Sequence, residues 1–267
     1  MTSAEEFIVI SARIWIHGGK MQAFLILLLG FMTMVSHAAK DEIKVVGIDF
    51  YPFTKVNDDG SLEGIGLELI KVVAKAANVE ISSAYGVTTP RMLLELKEPN
   101  RVSTLTARTP EREDKFYWLG EFFVDKTCFI NLNTMKPINT IEEAKKLKTI
   151  GVNKGGATEA FLIKNNFTNL EPILMNRKNA QKLNLGRVDA IYSSSWVGYH
   201  SIKLGGGDPD QFQCGAPIEK VSYHLAASLS TPPKLLKKLS AELAKAVKAK
   251  AVDRILKAQN LQAPTWK

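Results

Sequence analysis

The sequence predicts an α/β protein of two lobes, and three observations indicate this fold class. Apolar runs rich in β-branched residues alternate with segments of helical periodicity. The alternation occurs in two successive series, with no Gly/Ser-rich linker between them. The joins between the series, near residues 129–134 and 218–223, are themselves extended. Two strand crossovers between α/β lobes form a hinge, and such a hinge places a cleft at the carboxyl ends of the strands.

The individual elements follow in chain order. The first series contains strands at 43–48, 79–83 and 102–105, helices at 66–77 and 89–96, and an extended run at 127–132. The second series contains helices at 141–147, 158–165 and 177–185 and strands at 149–152 and 188–192. A strand at 222–228 and a long helical tail from Pro232 complete the chain. We therefore expect lobe 1 to contain residues 39–131 plus 222–267 and lobe 2 to contain residues 132–221, each a sheet flanked by helices.

The composition restricts the class of protein. The chain has 267 residues, 45% hydrophobic and 23% charged, with 11 prolines, which excludes intrinsic disorder and a fibrous repeat. The net charge of +8 allows an anionic partner without requiring one. The lysines of the tail alternate with leucines at helical spacing, which favours a solvated helix face, and no aromatic residues interleave with them. We therefore expect no nucleic-acid partner.

The amino terminus has the pattern of a cleaved export signal. Residues 23–35 form a 13-residue apolar run, too short for the roughly 20 helical residues that span a bilayer. Small residues follow at 36–39, and Arg13 and Lys20 precede the run. We predict that residues 1–38 are a signal peptide. Residues 1–20 are an upstream extension if translation starts at Met21, and the sequence leaves both starts open.

The two cysteines of the chain, Cys128 and Cys214, lack the spacing of a metal site and are too few for a disulfide scaffold. They lie at the first crossover and shortly before the second, so a single bridge is compatible with an oxidising compartment. Two free thiols are equally compatible with the sequence. We expect no metal and no cofactor.

Five short segments occur in a fixed order between residues 43 and 260. They are GIDFYPF at 47–53, DG at 59–60 followed by GIGLEL at 64–69, TARTPERE at 106–113, GVNKGG at 151–156 and GRVDA at 186–190. In these segments the chain resembles the bacterial family 3 extracellular solute-binding proteins, the receptors of polar amino-acid ABC transporters. The resemblance implies the type II periplasmic-binding fold, with two lobes joined by two strand crossovers.

The resemblance also implies which lobe 1 residues contact a ligand. Arg112 matches the family's carboxylate-binding arginine, because a planar guanidinium can hold a carboxylate with two hydrogen bonds. The alternative for Arg112 is a structural salt bridge with Glu111 or Glu113. The alternative for the aromatic stacking residue and its tyrosine neighbour is a core position that covers the sheet edge, and the alternative for Arg108 is a structural role. The remaining lobe 1 candidates are Asp49, Phe50, Tyr51, Arg91, Thr106 and Arg108.

Lobe 2 contributes a helix start and a serine-rich segment. Gly156, Ala157 and Thr158 precede or begin a helix, where backbone N–H groups bind anions. Ser194, followed by Trp196, aligns with the aspartate that pairs with the ligand's ammonium in the family's amino-acid receptors. A serine cannot neutralise a buried ammonium. Either another acid such as Asp49 or Glu68 replaces that charge, or the ligand has no ammonium.

The function that the resemblance implies is periplasmic binding of a small carboxylate-bearing polar ligand, an amino acid or related organic acid, and its delivery to an inner-membrane ABC permease. We expect a monomer without catalytic residues, since His200 and His224 lie in no catalytic motif. Two alternatives stay open: a ligand-sensing receptor module, and a periplasmic enzyme of the cyclohexadienyl dehydratase type on the same fold.

We predict export with cleavage near Ala38, because the apolar run is short and small residues follow it. Intact-mass measurement of protein from the periplasm should show loss of the first 38 residues. A full-length mass recovered in a membrane fraction would contradict the prediction.

Overall fold

The computed structural model describes residues 40–261, so the predicted signal peptide lies outside the described residues. The strands are β1 (Glu42–Gly47), β2 (Lys55–Val56), β3 (Leu62–Glu63), β4 (Glu80–Gly86), β5 (Arg101–Ser103), β6 (Thr106–Ala107), β7 (Tyr117–Leu132), β8 (Ile150–Asn153), β9 (Leu170–Ile173), β10 (Ala190–Ser194), β11 (Phe212–Cys214) and β12 (Glu219–Ala227). The helices are α1 (Ile65–Ala76), α2 (Thr89–Glu95), α3 (Ile141–Lys145), α4 (Ala157–Lys164), α5 (Asn176–Asn184), α6 (Ser195–Leu204), α7 (Pro233–Lys248) and α8 (Ala251–Ala258), with 3₁₀ turns at Pro110–Lys115 and Pro209–Gln211.

Ten of these strands form one curled sheet, in which the order of the main path is β4-β1-β5-β12-β7-β10-β8-β9. At one end β1 lies parallel between β4 and β5, and at the other β8 lies parallel between β9 and β10. The two long strands β7 and β12 pair antiparallel in the middle. β6 and β11 add to β12 and β7, and β2 and β3 form a separate hairpin.

Strand β7 is shared between the two lobes. Its first part pairs with β12 over residues 117–127, and its last part pairs with β10 and β11. The extended run expected at 127–132 is therefore only the end of a 16-residue strand. Charged residues and a glycine interrupt the apolar pattern of its first ten residues, which hid that part of the strand in the sequence.

The hydrophobic core is divided in the same way. One cluster packs β1, α1 and the buried leucines of α7 and α8 together within lobe 1. Two further clusters, one centred on Phe129 and one on Ile130, lie on opposite faces of the lobe 2 strands. Trp196 and Val197 of α6 belong to the lobe 1 cluster, so a lobe 2 helix buries two side chains in lobe 1. The lobe boundaries themselves stay a prediction.

The lysine-rich tail is two helices rather than one. In α7 Leu235, Leu236, Leu239 and Leu243 are buried. Its lysines are exposed, apart from the half-buried Lys238, which pairs with Asp41. Lys250 adopts a left-handed conformation with φ of 57° and separates α7 from α8. Helix α6 and strands β9 and β11 are further elements that the sequence patterns did not predict.

Cys128 of β7 and Cys214 of β11 form a disulfide, with the two Cα atoms 5.7 Å apart. The bridge closes a loop of sequence separation 86 that contains nearly all of lobe 2. Of the two states that the sequence left open, the structure has the bridge. A cross-link of this kind stabilises the folded state mainly by restricting the unfolded chain.

We expect replacement of both cysteines, Cys128→Ala with Cys214→Ala, to lower the free energy of unfolding by about 2 to 5 kcal/mol. Denaturant unfolding of the variant and parent measures this change. Thiol counting in denaturant is the control: the exported parent should show no free thiol before reduction and two after it. Two free thiols in unreduced exported protein would contradict the bridge.

Candidate functional site

A cavity of about 50 Å³ lies where the carboxyl end of β1 faces the amino terminus of α4. Lobe 1 and strand β12 contribute Ile48, Phe50, Thr89, Met92, Leu105, Thr106, Ala107, Arg112, Val221 and Tyr223. Lobe 2 contributes Asn153, Gly156, Ala157 and Thr158. Six predicted site residues therefore border one cavity: Phe50, Thr106, Arg112, Gly156, Ala157 and Thr158. We call it the inner cavity.

Arg112 is the cationic residue of the inner cavity lining. It lies in the 3₁₀ turn Pro110–Lys115, and its guanidinium donates to the carbonyl of Gly155 at 3.1 Å and to that of Ala107 at 3.5 Å. Burial lowers the pKa of Arg112, while the charge of Glu111 opposes the shift. An arginine nevertheless stays protonated at neutral pH. A positive charge thus borders a largely apolar space.

The structural salt bridge considered for Arg112 does not form. Among the described residues, Glu113 pairs with Arg108 and Glu111 pairs with Lys164 at 3.3 Å. Arg112 makes no ion pair with a described carboxylate, because both candidate partners are held by other cations. Its guanidinium is therefore bound by carbonyl oxygens alone.

The lobe 2 wall of the inner cavity is the start of α4. Gly155 has a left-handed φ of 72°, and a Cβ there would approach Cγ of Pro90 in lobe 1 to 2.9 Å. Glycine thus lets the loop reach lobe 1. Gly156 is the N-cap, and no side chain caps the helix. The first turn of α4 carries the partial positive charge that favours an anion.

Two aromatic residues form the lobe 1 side. Phe50 follows β1 and contacts Tyr223 edge to face at 5.7 Å between ring centroids. Tyr223 also packs on Phe53, which is fully buried as a core residue. Burial raises the pKa of the Tyr223 hydroxyl, which therefore stays protonated at neutral pH. Sequence reasoning missed Tyr223, because a tyrosine within an apolar strand has no motif of its own.

A polar contact between the lobes closes the cavity on one side. The hydroxyl of Thr89, at the start of α2, donates to Oδ1 of Asn153 at 2.7 Å, and both side chains are buried. A second polar contact between the lobes lies outside the inner cavity lining, where Nδ2 of Asn176 donates to the carbonyl of Asp49 at 3.1 Å. Thr89, Asn153 and Asn176 were also missed in the sequence, since pairing across more than 60 positions has no local signature.

Ser194 does not border the inner cavity. It is fully buried, and its hydroxyl donates to Oδ2 of Asp125 on β7. Asp125 also accepts from the Ser195 hydroxyl at 3.2 Å and from the backbone N–H groups of Trp196 and Lys126 at 3.3 and 2.7 Å. Burial raises the pKa of Asp125, although these hydrogen bonds oppose the shift. The carboxylate caps the amino terminus of α6 from a neighbouring strand.

The other predicted residues also lie outside the inner cavity lining. Arg91 is held by Glu95 at 2.6 Å, and Arg108 by Glu113. Tyr51 packs against His200, and Trp196 stacks on Phe123. Each forms instead a structural contact that its own lobe or the opposite lobe supplies. Of these four residues Arg108 borders the second, larger cavity described below, and ligand contact by all four stays a prediction.

Asp49 contacts lobe 2 rather than the inner cavity. Its Oδ2 lies 3.6 Å from Nε of Arg177, on α5. Burial raises the pKa of Asp49, and the charge of Arg177 opposes the shift. Glu68, the other acid considered in place of Ser194, pairs with Lys71 on the surface of α1. Neither acid is placed to receive a group in the inner cavity.

A second cavity of about 500 Å³ adjoins the first, and we call it the outer cavity. It shares Arg112, Ala157, Thr158 and Val221 with the inner cavity. Its charged lining residues are Arg108, Glu111, Lys164, Glu219 and Lys220. Glu219 accepts a hydrogen bond from the Tyr192 hydroxyl at 3.3 Å, and burial raises the pKa of its carboxyl. The outer cavity is thus polar, whereas the inner one is mainly apolar.

Serine, histidine and acid meet at one further place, but not as a catalytic triad. The Ser222 hydroxyl lies 2.8 Å from Nε2 of His224 and hydrogen bonds to Glu121. Nδ1 of His224 has no partner among residues 40–261, so no acid orients the ring. The same described residues contain no group of three His, Cys, Asp or Glu side chains arranged for a metal ion.

Asp189, in the GRVDA segment, has a structural role. Its Oδ2 accepts from the backbone N–H groups of Lys148 and Thr149 at 2.7 and 2.9 Å.

Among the helices that the structure describes, none has the length and apolarity needed to cross a membrane.

Comparison with known proteins identifies the fold. No family model and no curated protein matches the sequence. Solved structures do match: a histidine kinase sensor domain with similarity to periplasmic binding proteins has a TM-score of 0.72 at 16% identity, covering 81% of this chain and 95% of its own. An amino acid ABC transporter substrate-binding protein from Streptococcus pneumoniae, bound to L-arginine, has a TM-score of 0.68 at 19% identity. The match covers 81% of this chain and 93% of the matched chain.

A third match is an ancestral amino acid-binding protein that is a precursor of cyclohexadienyl dehydratase, with a TM-score of 0.69 at 19% identity. The match covers 81% of this chain and 94% of the matched chain. These matches confirm the predicted two-lobed fold of the periplasmic-binding-protein type. At such identities the likeness shows the fold alone.

We expect Asp125→Ala to destabilise the protein by about 2 to 4 kcal/mol, because it leaves the buried donors at the start of α6 without their acceptor. Chemical denaturation measures the change. Asp114→Ala, which removes an exposed carboxylate, is the matched control and should change stability by less than about 0.5 kcal/mol. Equal stability of the Asp125 variant and the control would show that the carboxylate does not hold α6.

Proposed function

We propose that this protein is a solute-binding receptor that holds a small carboxylate-bearing ligand between its two lobes. The observation that carries the proposal is Arg112, a guanidinium that borders the inner cavity without a carboxylate partner among the described residues. A partly desolvated cation is stabilised by an anion that enters beside it. A carboxylate matches the planar donors of the guanidinium with two hydrogen bonds.

The surroundings of Arg112 support the same ligand chemistry. The amino terminus of α4 faces the cavity from lobe 2, and its first backbone N–H groups provide further donors. Phe50 and Tyr223 provide apolar contact surface from lobe 1. The lining comes from both lobes, so ligand binding favours the conformation in which they meet. This arrangement suits capture and release of a solute.

We propose binding without turnover. General acid-base catalysis needs a titratable group that exchanges a proton near neutral pH. The inner cavity lining contains no histidine, cysteine, aspartate or glutamate among the described residues. Its two titratable groups, Arg112 and Tyr223, both stay protonated at neutral pH. A dehydratase of the cyclohexadienyl type is therefore the less favoured alternative, despite the dehydratase precursor among the structural neighbours.

The proposal includes a cellular setting. We propose a monomeric periplasmic receptor that delivers its ligand to an ABC permease, as the substrate-binding neighbour from S. pneumoniae belongs to an ABC transporter. The Cys128–Cys214 disulfide supports an oxidising compartment.

One neighbour favours a second candidate, since the sensor domain of a histidine kinase has the same fold. Uptake of labelled ligand by cells with and without the gene separates the two roles. Loss of a transport receptor lowers uptake, whereas loss of a sensor leaves uptake unchanged and removes the ligand-dependent response.

We expect Arg112→Lys to weaken binding of a carboxylate ligand by roughly 1.5 to 3 kcal/mol, because lysine cannot reproduce the two parallel hydrogen bonds. Arg112→Ala should weaken it further. The ligand is first identified by thermal-shift screening against amino acids, organic acids and polyamines, since a tight binder raises the unfolding midpoint. Calorimetric titration then gives the affinities of parent and variants.

Arg91→Ala is the matched control, because Arg91 is another lobe 1 arginine that is exposed, paired with Glu95 and absent from the lining of both cavities. It should bind the ligand as tightly as the parent does. An Arg112→Ala protein with parental affinity would remove the proposed carboxylate site.

A further inference from the structure

We infer that the inner cavity selects a short monocarboxylate whose remaining body is uncharged, and that it discriminates against the α-amino acid of the same carbon skeleton. The inference rests on the proposed function and specifies its ligand class. It is carried by the charges that surround the inner cavity, by the partners of the nearest buried acids and by the size of the space.

The described lining of the inner cavity carries one positive charge. Arg112 is the single charged side chain among the described lining residues, and apolar side chains such as Ile48, Met92 and Leu105 form most of the wall. A carboxylate neutralises Arg112. An α-amino acid brings an additional ammonium, which then loses its water without gaining an anionic partner. The cavity therefore favours the ligand that lacks the ammonium.

Asp125, the buried acid beside Ser194, is not available to an ammonium. Its Oδ2 is occupied by the Ser194 hydroxyl and the N–H of Trp196, and its Oδ1 by the Ser195 hydroxyl and the N–H of Lys126. All four are donors, so the carboxylate charge is already stabilised within the protein. Asp125 is also absent from the lining.

The polar side chains that do line the cavity offer weak compensation. The Thr89 hydroxyl and Oδ1 of Asn153 bind one another at 2.7 Å. Thr106 shares a hydrogen bond with Ser103 at 2.8 Å. The remaining polar lining groups are the hydroxyls of Thr158 and Tyr223, which are also neutral, so none of these groups carries the negative charge that an ammonium needs.

The volume limits the body of the ligand. Roughly 10 to 15 Å³ of cavity volume accommodates one water molecule, so a cavity of about 50 Å³ holds about four non-hydrogen atoms. Acetate has four non-hydrogen atoms, and propionate has one more. A longer body extends past Arg112 into the outer cavity, which shares that residue.

Glu219 could pair with the ammonium of an amino acid bound in the reverse orientation, which is the alternative to the proposed selectivity. It lines the outer cavity, so an amino acid held by Arg112 in the reverse orientation places its ammonium toward this carboxylate. Glu219 carries no salt bridge with a described cation, and the Tyr192 hydroxyl is its hydrogen-bond donor. The experiment therefore includes a variant at Glu219.

Calorimetric titration of the exported protein with two matched pairs tests the inference: propionate against alanine, and butyrate against 2-aminobutyrate. Within each pair the ligands differ by the α-ammonium. We expect each deaminated acid to bind at least about 100-fold more tightly than its amino acid, since an unpaired ammonium in a closed site costs several kcal/mol. Glu219→Gln should leave both ratios unchanged.

A second variant places the missing charge in the wall. Ala157→Asp adds a carboxylate at the first residue of α4, where an acid also suits the helix terminus. It should weaken propionate about 10-fold or more and reduce the preference for propionate over alanine. Ala160→Asp, one turn further along α4 at the outer cavity, is the control and should change neither affinity ratio.

The outcomes separate this inference from the proposed function. Amino acids that bind as tightly as their deaminated partners, in an Arg112-dependent manner, overturn the inference and leave the receptor proposal standing. Amino-acid binding that Glu219→Gln abolishes overturns it in favour of the reverse orientation. If no carboxylate, with or without an ammonium, binds in an Arg112-dependent manner, both proposals fail.

Discussion

The antiparallel pairing of β7 with β12 is the constraint on which the rest of the structure depends. These two strands belong to the middle of the sheet, and the parallel strands of each lobe extend from them in opposite directions. Residues along the pair serve different purposes: Tyr223 and Val221 border the inner cavity, Asp125 holds α6, and Cys128 anchors the disulfide. A change in the register of this pair would move the cavity, the cap and the cross-link together.

The contacts between the lobes combine buried polar groups with one aromatic anchor. Thr89 meets Asn153, Arg112 meets the Gly155 carbonyl, and Trp196 of lobe 2 stacks on Phe123 of lobe 1. The hydrogen bonds are directional and specify where the lobes meet. They add modest net stability, because each replaces a bond to water. Opening of such an interface also requires Trp196 and Val197 of α6 to leave the lobe 1 cluster, in which both are buried.

Sequence order predicted much of the fold and part of the site, for a physical reason. The alternation of strands and helices depends on local periodicity, so β1, α1, β8 and α4 were placed within a residue or two. The motif residues Phe50, Arg112 and Gly156 border one cavity because each lies at a strand end or helix start that the topology brings together. Asp125 could not be predicted in the same way, since its partners are about 70 positions away.

The hydrogen bond from Ser194 to Asp125 links the fold to the proposed choice of ligand. A carboxylate at the end of β10 would face like charge on Asp125, whereas Ser194 supplies a hydroxyl that donates to it. The acid on β7 is therefore committed to α6, and Ser194, which the resemblance aligns with the ammonium-binding aspartate of the amino-acid receptors, forms part of the helix cap. Restoring an aspartate at 194 would thus place two carboxylates together in a buried space, which raises the pKa of one of them and destabilises the ionised pair. The stability of the helix cap and the charge at position 194 are coupled through this contact. A single Ser194→Asp substitution therefore does not create an ammonium site. Such a site requires a compensating loss of the charge on Asp125.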